Sequence, residues 1–249
     1  MSHAQPQNHS IELFREDAYL RTCQARVLEV VSGDNVGLVL DQTVFFAEGG
    51  GQPGDSGSLI LADGSEIVVT NTIKHPDRAG IFHVLATDAP IPELGSEVTC
   101  QIDWERRYKH MRFHSCLHLL CSLVDGGVTG GSIGTDKARL DFDLQDTTLD
   151  KEHLTRALNR LVTAAHPLQA RWITEAEMQS QPDLVRTMSV KPPSGEGRVR
   201  LIEVADVDLQ ACGGTHVANT SEIGTVKVGK IENKGKRNRR VNILFDEQT

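Results

Sequence analysis

The stretch from Trp104 to Val124 constrains the fold more than any other part of the chain, because it contains neither glycine nor proline. Many of its residues have a good helical propensity, and Gly126 and Gly127 follow it, so we predict a helix of several turns that ends there. The chain before it is organised differently, which makes this helix the start of a second structural region.

The first hundred residues contain short β-rich runs separated by turn signals at 32–35 and 62–65, which is typical of a small barrel or sandwich. A segment rich in proline and glycine at 89–95 breaks this pattern. The predicted strands lie at 27–31, 36–40, 44–46, 58–61, 66–72 and 80–85.

The second region mixes helices and strands. Leucines at helical spacing predict a helix over 149–165 that Pro167 stops, and Thr174 to Glu177 has the form of a capping box. Strands are expected at 138–144 and 199–204, a loop at 181–197, and two hairpin arms at 224–232 and 238–245. We therefore predict an α+β fold with two domains, 1–100 and 101–249.

Composition sets limits on location and partners. The ten N-terminal residues are polar and the chain has no apolar run of the ~20 residues that a membrane helix needs, so we expect a cytoplasmic protein with no membrane partner. The five cysteines are odd in number and widely spaced, which does not indicate a disulfide framework.

The formal net charge of −8 argues against a nucleic-acid partner, and no DNA partner is expected. However, seven cations crowd the segment from Lys227 to Arg240, opposed within it only by Glu232. A basic edge of this kind can dock RNA, although a solvated hairpin is an equally good interpretation of the composition.

Two pairs of potential metal ligands stand out. His114 and His118 lie four residues apart in the predicted helix and therefore on one face. Cys212 and His216 flank a segment with two glycines, which would let the backbone turn tightly. Each pair alone is weak evidence, but together they form a donor set that suits one tetrahedral zinc ion.

The residues next to these pairs limit which metal ligands and which reactions are expected. His110 lies too far along the helix to share the ion with both histidines, so we expect it in a supporting role or at the surface. Ser115 stands where a metalloprotease would carry glutamate, which argues against peptide hydrolysis of that type. Cys116 and Cys121 are expected to pack in the interior.

A glycine-rich segment follows the strand at 44–46 and has two possible roles. It lacks the ending of a phosphate-binding P-loop, and its proline and glycines disfavour the helix that a dinucleotide fingerprint requires. It is either a flexible connection or a functional loop whose bare backbone lies beside hydrogen-bonding groups. Its residues are Glu48, Gly49, Gly50, Gly51, Gln52, Pro53, Gly54, Asp55, Ser56 and Gly57.

These motifs resemble those of the alanyl-tRNA synthetase editing domain and of its free-standing relatives, the AlaX or alanyl-tRNA editing proteins. The resemblance rests on 43–55, 114–118, 133–142, 212–216 and 238–241, and it covers the chain from Arg26 to Phe245. One departure is Leu117, where the synthetase commonly has threonine, and it concerns the details of the pocket.

The resemblance implies a translation-factor-like β-barrel followed by a two-layer α/β editing domain that threonyl-tRNA synthetases share. It implies a zinc-dependent hydrolase that deacylates Ser-tRNA(Ala) and Gly-tRNA(Ala) in trans. Editing of Ser-tRNA(Thr) and a non-catalytic, zinc-stabilised RNA-binding module remain the alternatives.

Within that family interpretation, residues can be given expected roles. We expect Gln52, Thr129 and Ser132 to be catalytic or to read the serine hydroxyl, with Ser115 and Thr43 as further candidates for that reading. Glu48 to Gly51 and the hairpin cations are expected to contact the tRNA(Ala) acceptor stem and its 3′ aminoacyl ester. The hairpin cations are Lys234, Lys236, Arg239 and Arg240.

Overall fold

The computed structural model describes residues 10–31, 36–75, 80–144, 148–181, 184, 194–195 and 197–246. The chain divides into two compact units. Unit 1 comprises Met1–Gly49 and Pro53–Arg107, and unit 2 comprises Gly50–Gln52 and Tyr108–Thr249. Three residues of the glycine-rich segment thus belong to the second unit.

Unit 1 is built on a closed antiparallel barrel, which confirms the predicted β-barrel. Its strands run in the order β2-β3-β7-β6-β5-β8, and pairing of β8 with β2 closes the barrel. A short parallel pair, β1 (Ile11–Glu12) and β4 (Gln42–Thr43), lies outside it. The barrel strands are β2 (Thr22–Val31), β3 (Gly37–Leu40), β5 (Gly57–Ile60), β6 (Glu66–Lys74), β7 (Ile81–Leu85) and β8 (Glu97–Ile102).

The barrel interior is mostly aliphatic but encloses a hydrogen-bonded histidine. The Thr43 hydroxyl donates to His83 Nε2 at 2.8 Å and accepts from the Phe45 amide at 3.0 Å. His83 Nδ1 donates to the Leu38 carbonyl at 3.1 Å. Burial lowers the pKa of His83 to about 4, so the ring is neutral at pH 7. Thr43 is therefore engaged inside unit 1.

A buried ion pair anchors the far end of the glycine-rich segment. Arg107 donates from Nε to both carboxylate oxygens of Asp55, at 2.9 and 3.1 Å, and Asp55 also accepts from the Phe46 amide at 2.7 Å. The remaining guanidinium nitrogens reach the carbonyls of Ala18 and Val44. Because both charged groups are fully buried, each one depends on the other.

The predicted long helix is present as α1 (Trp104–Leu123), and most of it belongs to unit 2. It lies against an antiparallel sheet of order β15-β16-β10-β9. There Phe113 stacks on Phe245 with a centroid distance of 3.8 Å. The strands of this sheet are β9 (Gly127–Ile133), β10 (Lys137–Asp143), β15 (Val226–Asn233) and β16 (Asn238–Phe245).

The predicted second helix is α2 (Lys151–Thr163), capped by Asp150 and packed on β15 through Thr155 and Asn159. A second sheet centres on β13 (Arg198–Val204), which pairs with the other three strands of that sheet. Those are β11 (Leu168–Thr174), β12 (Ser194–Gly195) and β14 (Asp208–Ala211), and α3 (Glu175–Gln179) follows β11 with the predicted capping box. These elements confirm the α+β class.

Parts of two predictions lie outside the described residues. The turn signal at 32–35 is one of them. Of the loop predicted at 181–197, only 181, 184, 194–195 and 197 are described, and there 194–195 pair with β13 as a short strand. None of the helices in the described ranges combines the length and the apolarity that crossing a membrane requires.

The buried neutral His83 should make unit 1 less stable in acid. The unfolded state takes up the proton near the ordinary pKa of 6.5, whereas the folded ring takes it up near 4, so stability should fall as the pH drops between these values. The loss should be roughly 3 kcal/mol from this group. Urea unfolding followed by Trp104 fluorescence in a Trp172→Phe background measures it across this range.

His83→Gln should remove that part of the pH dependence, because an amide keeps a donor and an acceptor but does not titrate. His153→Gln, a change at an exposed histidine of α2, is the matched control and should leave the dependence unchanged. Equal acid sensitivity in His83→Gln and the parent protein would contradict the role of His83.

Candidate metal centre

Four side chains from two distant segments meet in unit 2. The ligand atoms of His114, His118, Cys212 and His216 all lie within 4.8 Å of one another. Cys212 Sγ is 3.5 Å from His114 Nε2 and 3.3 Å from His216 Nε2. The three histidines are buried and the cysteine is partly buried. The structure thus brings together the set that the two sequence pairs predicted.

The donor set and its spacing fit a tetrahedral metal ion. Zinc binds cysteine sulfur at ~2.3 Å and histidine nitrogen at ~2.0–2.1 Å, so ligand atoms of a regular tetrahedron lie about 3.5 Å apart. The two sulfur–nitrogen distances match that separation. One thiolate with three imidazoles suits zinc better than the hard cations, which prefer oxygen ligands. The group could therefore hold a metal ion.

Gln52 fixes the orientation of His114. Its Oε1 accepts from His114 Nδ1 at 2.8 Å and from the Thr215 amide at 3.1 Å, while its Nε2 donates to Thr215 Oγ1 at 2.8 Å. With its proton on Nδ1, His114 presents an unprotonated Nε2 towards Cys212. A hydrogen bond to the distal nitrogen is the usual way in which proteins hold a metal-binding imidazole.

Two glycines make room for this arrangement. A Cβ at Gly214 would lie 2.2 Å from His114 Cε1 and 2.9 Å from Gln52 Oε1, so any side chain there would displace both. Gly214 is thus needed because the His114 ring and the Gln52 amide occupy the space of a side chain. The sequence instead suggested that the glycines allow the backbone to turn tightly. Gly51 has a φ of +83°, and a Cβ there would lie 2.9 Å from the Gly131 carbonyl oxygen. The Gly51 carbonyl accepts a hydrogen bond from the Ile133 amide, which holds the two segments close together.

The other two imidazoles also have partners on their outer side. His216 Nδ1 lies 3.2 Å from Ser115 Oγ, which also accepts from the Val217 amide. His118 Nδ1 faces the Asp208 carboxylate at 3.7 Å. Ser115, considered as a reader of substrate hydroxyls from the sequence, therefore supports a ligand, and Asp208 was not recognised at all.

The protonation preferences of the centre favour ligand formation at two positions. Burial alone would raise the pKa of Cys212, but the neighbouring His114 and His216 hold it well below its ordinary value. Burial lowers the pKa of His216, which keeps that imidazole neutral. Burial would also lower the pKa of His118, yet its contacts with Asp208 and Cys212 raise it to about 9.

Arg200 ties the cysteine segment to β13. Its Nη1 donates to the carbonyls of Cys212 at 3.0 Å and of Gly214 at 2.9 Å, and its own carbonyl accepts from the Cys212 amide at 3.1 Å. The residue is only 4% exposed. Arg200 therefore fixes the backbone on both sides of Gly213 and, through it, the position of the sulfur.

The structure also places the other residues of α1 and β9 that the sequence singled out. His110 is fully buried, which excludes the surface position considered for it. Cys116 and Cys121 are buried as predicted. The Thr129 hydroxyl donates to the Asp141 carbonyl and accepts from Asn238, whereas Ser132 is exposed on β9.

The hairpin between β15 and β16 carries the predicted basic cluster, but several of its cations are already paired. Arg240 forms a bidentate ion pair with Asp141 at 2.8 and 2.9 Å, and Lys234 pairs with Glu232 at 3.0 Å. Arg239 donates only to backbone carbonyls among the described contacts, and Lys236 forms no ion pair with any described residue. Of these four cations, Lys236 and Arg239 are thus the two that form no ion pair with a described residue.

Two family models match separate parts of the chain. Residues 10–106 match the model described as tRNA synthetases class II (A), and residues 199–242 match the threonyl and alanyl tRNA synthetase second additional domain. The barrel of unit 1 and the β13–β16 portion of unit 2 correspond to these matches. Fold and centre together define a protein of the synthetase-related editing class.

Individual relatives are more specific. The chain is 35% identical over 239 residues to the alanyl-tRNA editing protein AlaX-M of Methanosarcina acetivorans, covering 92% of this chain and 96% of the relative. It is 32% identical to AlaX-M of Saccharolobus solfataricus with the same coverage. It is also 38% identical to the alanine–tRNA ligase of Pyrobaculum calidifontis, but over only 25% of that protein. The chain belongs to the AlaX-M family of alanyl-tRNA editing proteins.

Arg200→Met should weaken metal binding about 10- to 100-fold, because the carbonyls beside Cys212 and Gly214 lose their donor and the sulfur loses its fixed position. Competition of Zn²⁺ or Co²⁺ with a chromophoric chelator measures the affinity, and the Co²⁺ absorption spectrum reports thiolate ligation. Arg200→Lys, which keeps one donor, should lose less.

Arg171→Met is the matched control, since Arg171 lies on the neighbouring strand β11 but is exposed and contacts Glu203. It should bind metal like the parent protein. If folded Arg200→Met retained the parental affinity and spectrum, the positioning role of Arg200 would have to be given up.

Proposed function

We propose that this protein is an aminoacyl-tRNA deacylase that acts in trans in the cytoplasm, hydrolysing Ser-tRNA(Ala) and Gly-tRNA(Ala) with the aid of one Zn²⁺ ion. The observation that carries the proposal is the group of four potential ligands within 4.8 Å, in a chain of the alanyl-tRNA editing family. The full-length similarity to free-standing editing proteins supports action on a separately released tRNA.

The reaction adds water to the ester carbonyl carbon and releases the amino acid from the terminal ribose of the tRNA. Zinc, when bound, supplies a Lewis-acidic centre that can polarise or orient such an ester. Four protein ligands fill a tetrahedral shell, which favours a part in holding the site and the substrate. Gln52, Ser115 and Arg200 then act as positioning residues, since each one holds a ligand or its backbone.

To spare Ala-tRNA(Ala), the enzyme must recognise the side chain of the amino acid that it removes. Serine exceeds alanine by a hydroxyl, and a site that hydrogen-bonds this hydroxyl can reject alanine by up to ~10⁴-fold or more. Of the proposed catalytic residues, Gln52 and Thr129 already use their polar atoms within unit 2. Ser132 is exposed and has no hydrogen bond among those described, so it is our preferred reader of the serine hydroxyl.

The tRNA would be held by backbone and by charge. Glu48, Gly49, Gly50 and Gly51 are proposed to contact the aminoacylated 3′ end. The hairpin is proposed to contact acceptor-stem phosphates, mainly through Lys236 and Arg239, with Lys234 and Arg240 contributing less because they are paired. Phosphate contacts of this kind position a nucleic acid but do not read its sequence.

The substrate class can be tested with four aminoacyl-tRNAs. The protein should release amino acid from Ser-tRNA(Ala) and Gly-tRNA(Ala) but not from Ala-tRNA(Ala) or Ser-tRNA(Thr), and prior removal of metal with a chelator should abolish release. Cys212→Ala should lower zinc content and deacylation together, while Cys116→Ala, at a buried cysteine outside the centre, should lower neither.

Two results would favour a different function. Release of serine from tRNA(Thr) alone would assign the protein to the other editing specificity. Binding of tRNA without release from any substrate would make it a non-catalytic RNA-binding module.

Lys236→Ala should raise the KM for Ser-tRNA(Ala) about 3- to 10-fold with little change in kcat, because a phosphate contact made equally in ground and transition states is lost. The slope of log affinity against log salt should flatten by about 1. Lys151→Ala, at an exposed lysine of α2, is the control and should change neither quantity. A salt slope unaltered by Lys236→Ala would remove the hairpin from the tRNA interface.

A further inference from the structure

Two cysteines lie directly opposite each other in the wall of the barrel. Cys23 on β2 and Cys100 on β8 are register partners, at the seam where these two strands close the barrel. Opposed residues of an antiparallel pair have their side chains on the same face and their Cα atoms about 4.5–5.5 Å apart. That separation falls inside the ~4.4–6.8 Å range of disulfides, so the strand pairing brings the two cysteines within bonding reach.

The two thiols already interact. Cys100 donates a hydrogen bond to Cys23, and the Val44 amide donates a second one, so the pKa of Cys23 lies below its ordinary value. The same contact, together with burial, raises the pKa of Cys100. Cys23 is partly exposed, whereas Cys100 is fully buried. One sulfur is thus suited to attack an external reagent and the other to resolve the product.

We propose that Cys23 and Cys100 form an oxidisable dithiol, which a low-molecular-weight disulfide of the glutathione class converts to an intramolecular disulfide across the barrel seam. The Cys23 thiolate attacks one sulfur of the reagent, forming a mixed disulfide and releasing one thiolate. Cys100 then loses its proton and attacks Cys23 sulfur, which releases the second thiolate. Two protein thiols are oxidised and one reagent disulfide is reduced to two thiols.

The other cysteines are poorly suited to this chemistry. Cys116 is fully buried, and burial raises its pKa to about 12, so it offers almost no thiolate. Cys121 is also buried on α1. Cys212 belongs to the metal centre. Oxidation of the ion-loaded protein should therefore be selective for the pair in unit 1.

Closing the bond would join the first and last strands of the barrel. A crosslink between residues so far apart in sequence restricts the unfolded chain strongly. The oxidised protein should consequently resist thermal unfolding of unit 1 more than the reduced protein does.

Incubation of the folded, zinc-loaded protein with increasing ratios of oxidised to reduced glutathione tests the proposal. Tryptic digestion without reduction should give one crosslinked product of peptides 22–26 and 79–106, lighter than their sum by two hydrogen atoms. The Tm followed by Trp104 fluorescence in a Trp172→Phe background should rise by about 10 °C.

Single variants test the direction of the reaction. Cys100→Ser should leave a stable glutathione adduct on Cys23, because the resolving thiol is missing, and Cys23→Ser should leave Cys100 unmodified. Cys100→Ala serves if the serine is not tolerated, and Cys121→Ala should behave like the parent protein. Absence of the crosslinked product from folded protein, or its appearance only in urea, would overturn the proposal, as would an adduct on Cys100 in folded Cys23→Ser.

Discussion

The buried amide of Gln52 is the interaction on which the metal centre depends. Its carbonyl oxygen accepts from both His114 Nδ1 and the Thr215 amide, so one atom fixes a helical ligand and the segment that carries Cys212 and His216. Glycines at 51 and 214 leave the space that the surrounding backbone and the Gln52 side chain occupy. Because an amide oxygen can only accept, it holds His114 in the tautomer that carries the proton on Nδ1.

Many charged side chains of unit 2 form ion pairs with each other. Asp141 is almost buried, and hydrogen bonds from Arg240 and Arg139 offset the cost of that burial and hold its pKa low. Arg237 similarly pairs with Asp143. Most cations of the hairpin therefore position the strands of the sheet, and the charge left for an anionic partner is smaller than the sequence count implies.

The predictable parts of the molecule are those that local patterns determine. The absence of glycine and proline specified α1, and two spacings of four specified the ligand pairs. Short β-rich runs located β2, β3, β5, β6 and β7. They did not predict β8, and the strand predicted at 44–46 is wrong, because β4 ends at Thr43. Arg200, Asp208 and Thr215 could not be found this way, because their roles arise from contacts made only after β13, β14 and the cysteine segment have come together. From the sequence, Ser115 argued against a metalloprotease and was a candidate reader of the substrate hydroxyl, whereas its hydroxyl lies against His216 Nδ1.

The cysteines of this chain differ in reactivity because their surroundings shift the pKa of each thiol differently. Three imidazoles surround Cys212, stabilise its thiolate and make it a ligand. Cys116, on the same helix as two of those imidazoles but packed among apolar side chains, stays protonated. Cys23 lies between these extremes, since hydrogen bonds from a neighbouring thiol and from an amide lower its pKa. A thiol of lowered pKa forms the nucleophilic thiolate more readily than an ordinary one, which suits it to exchange with a disulfide.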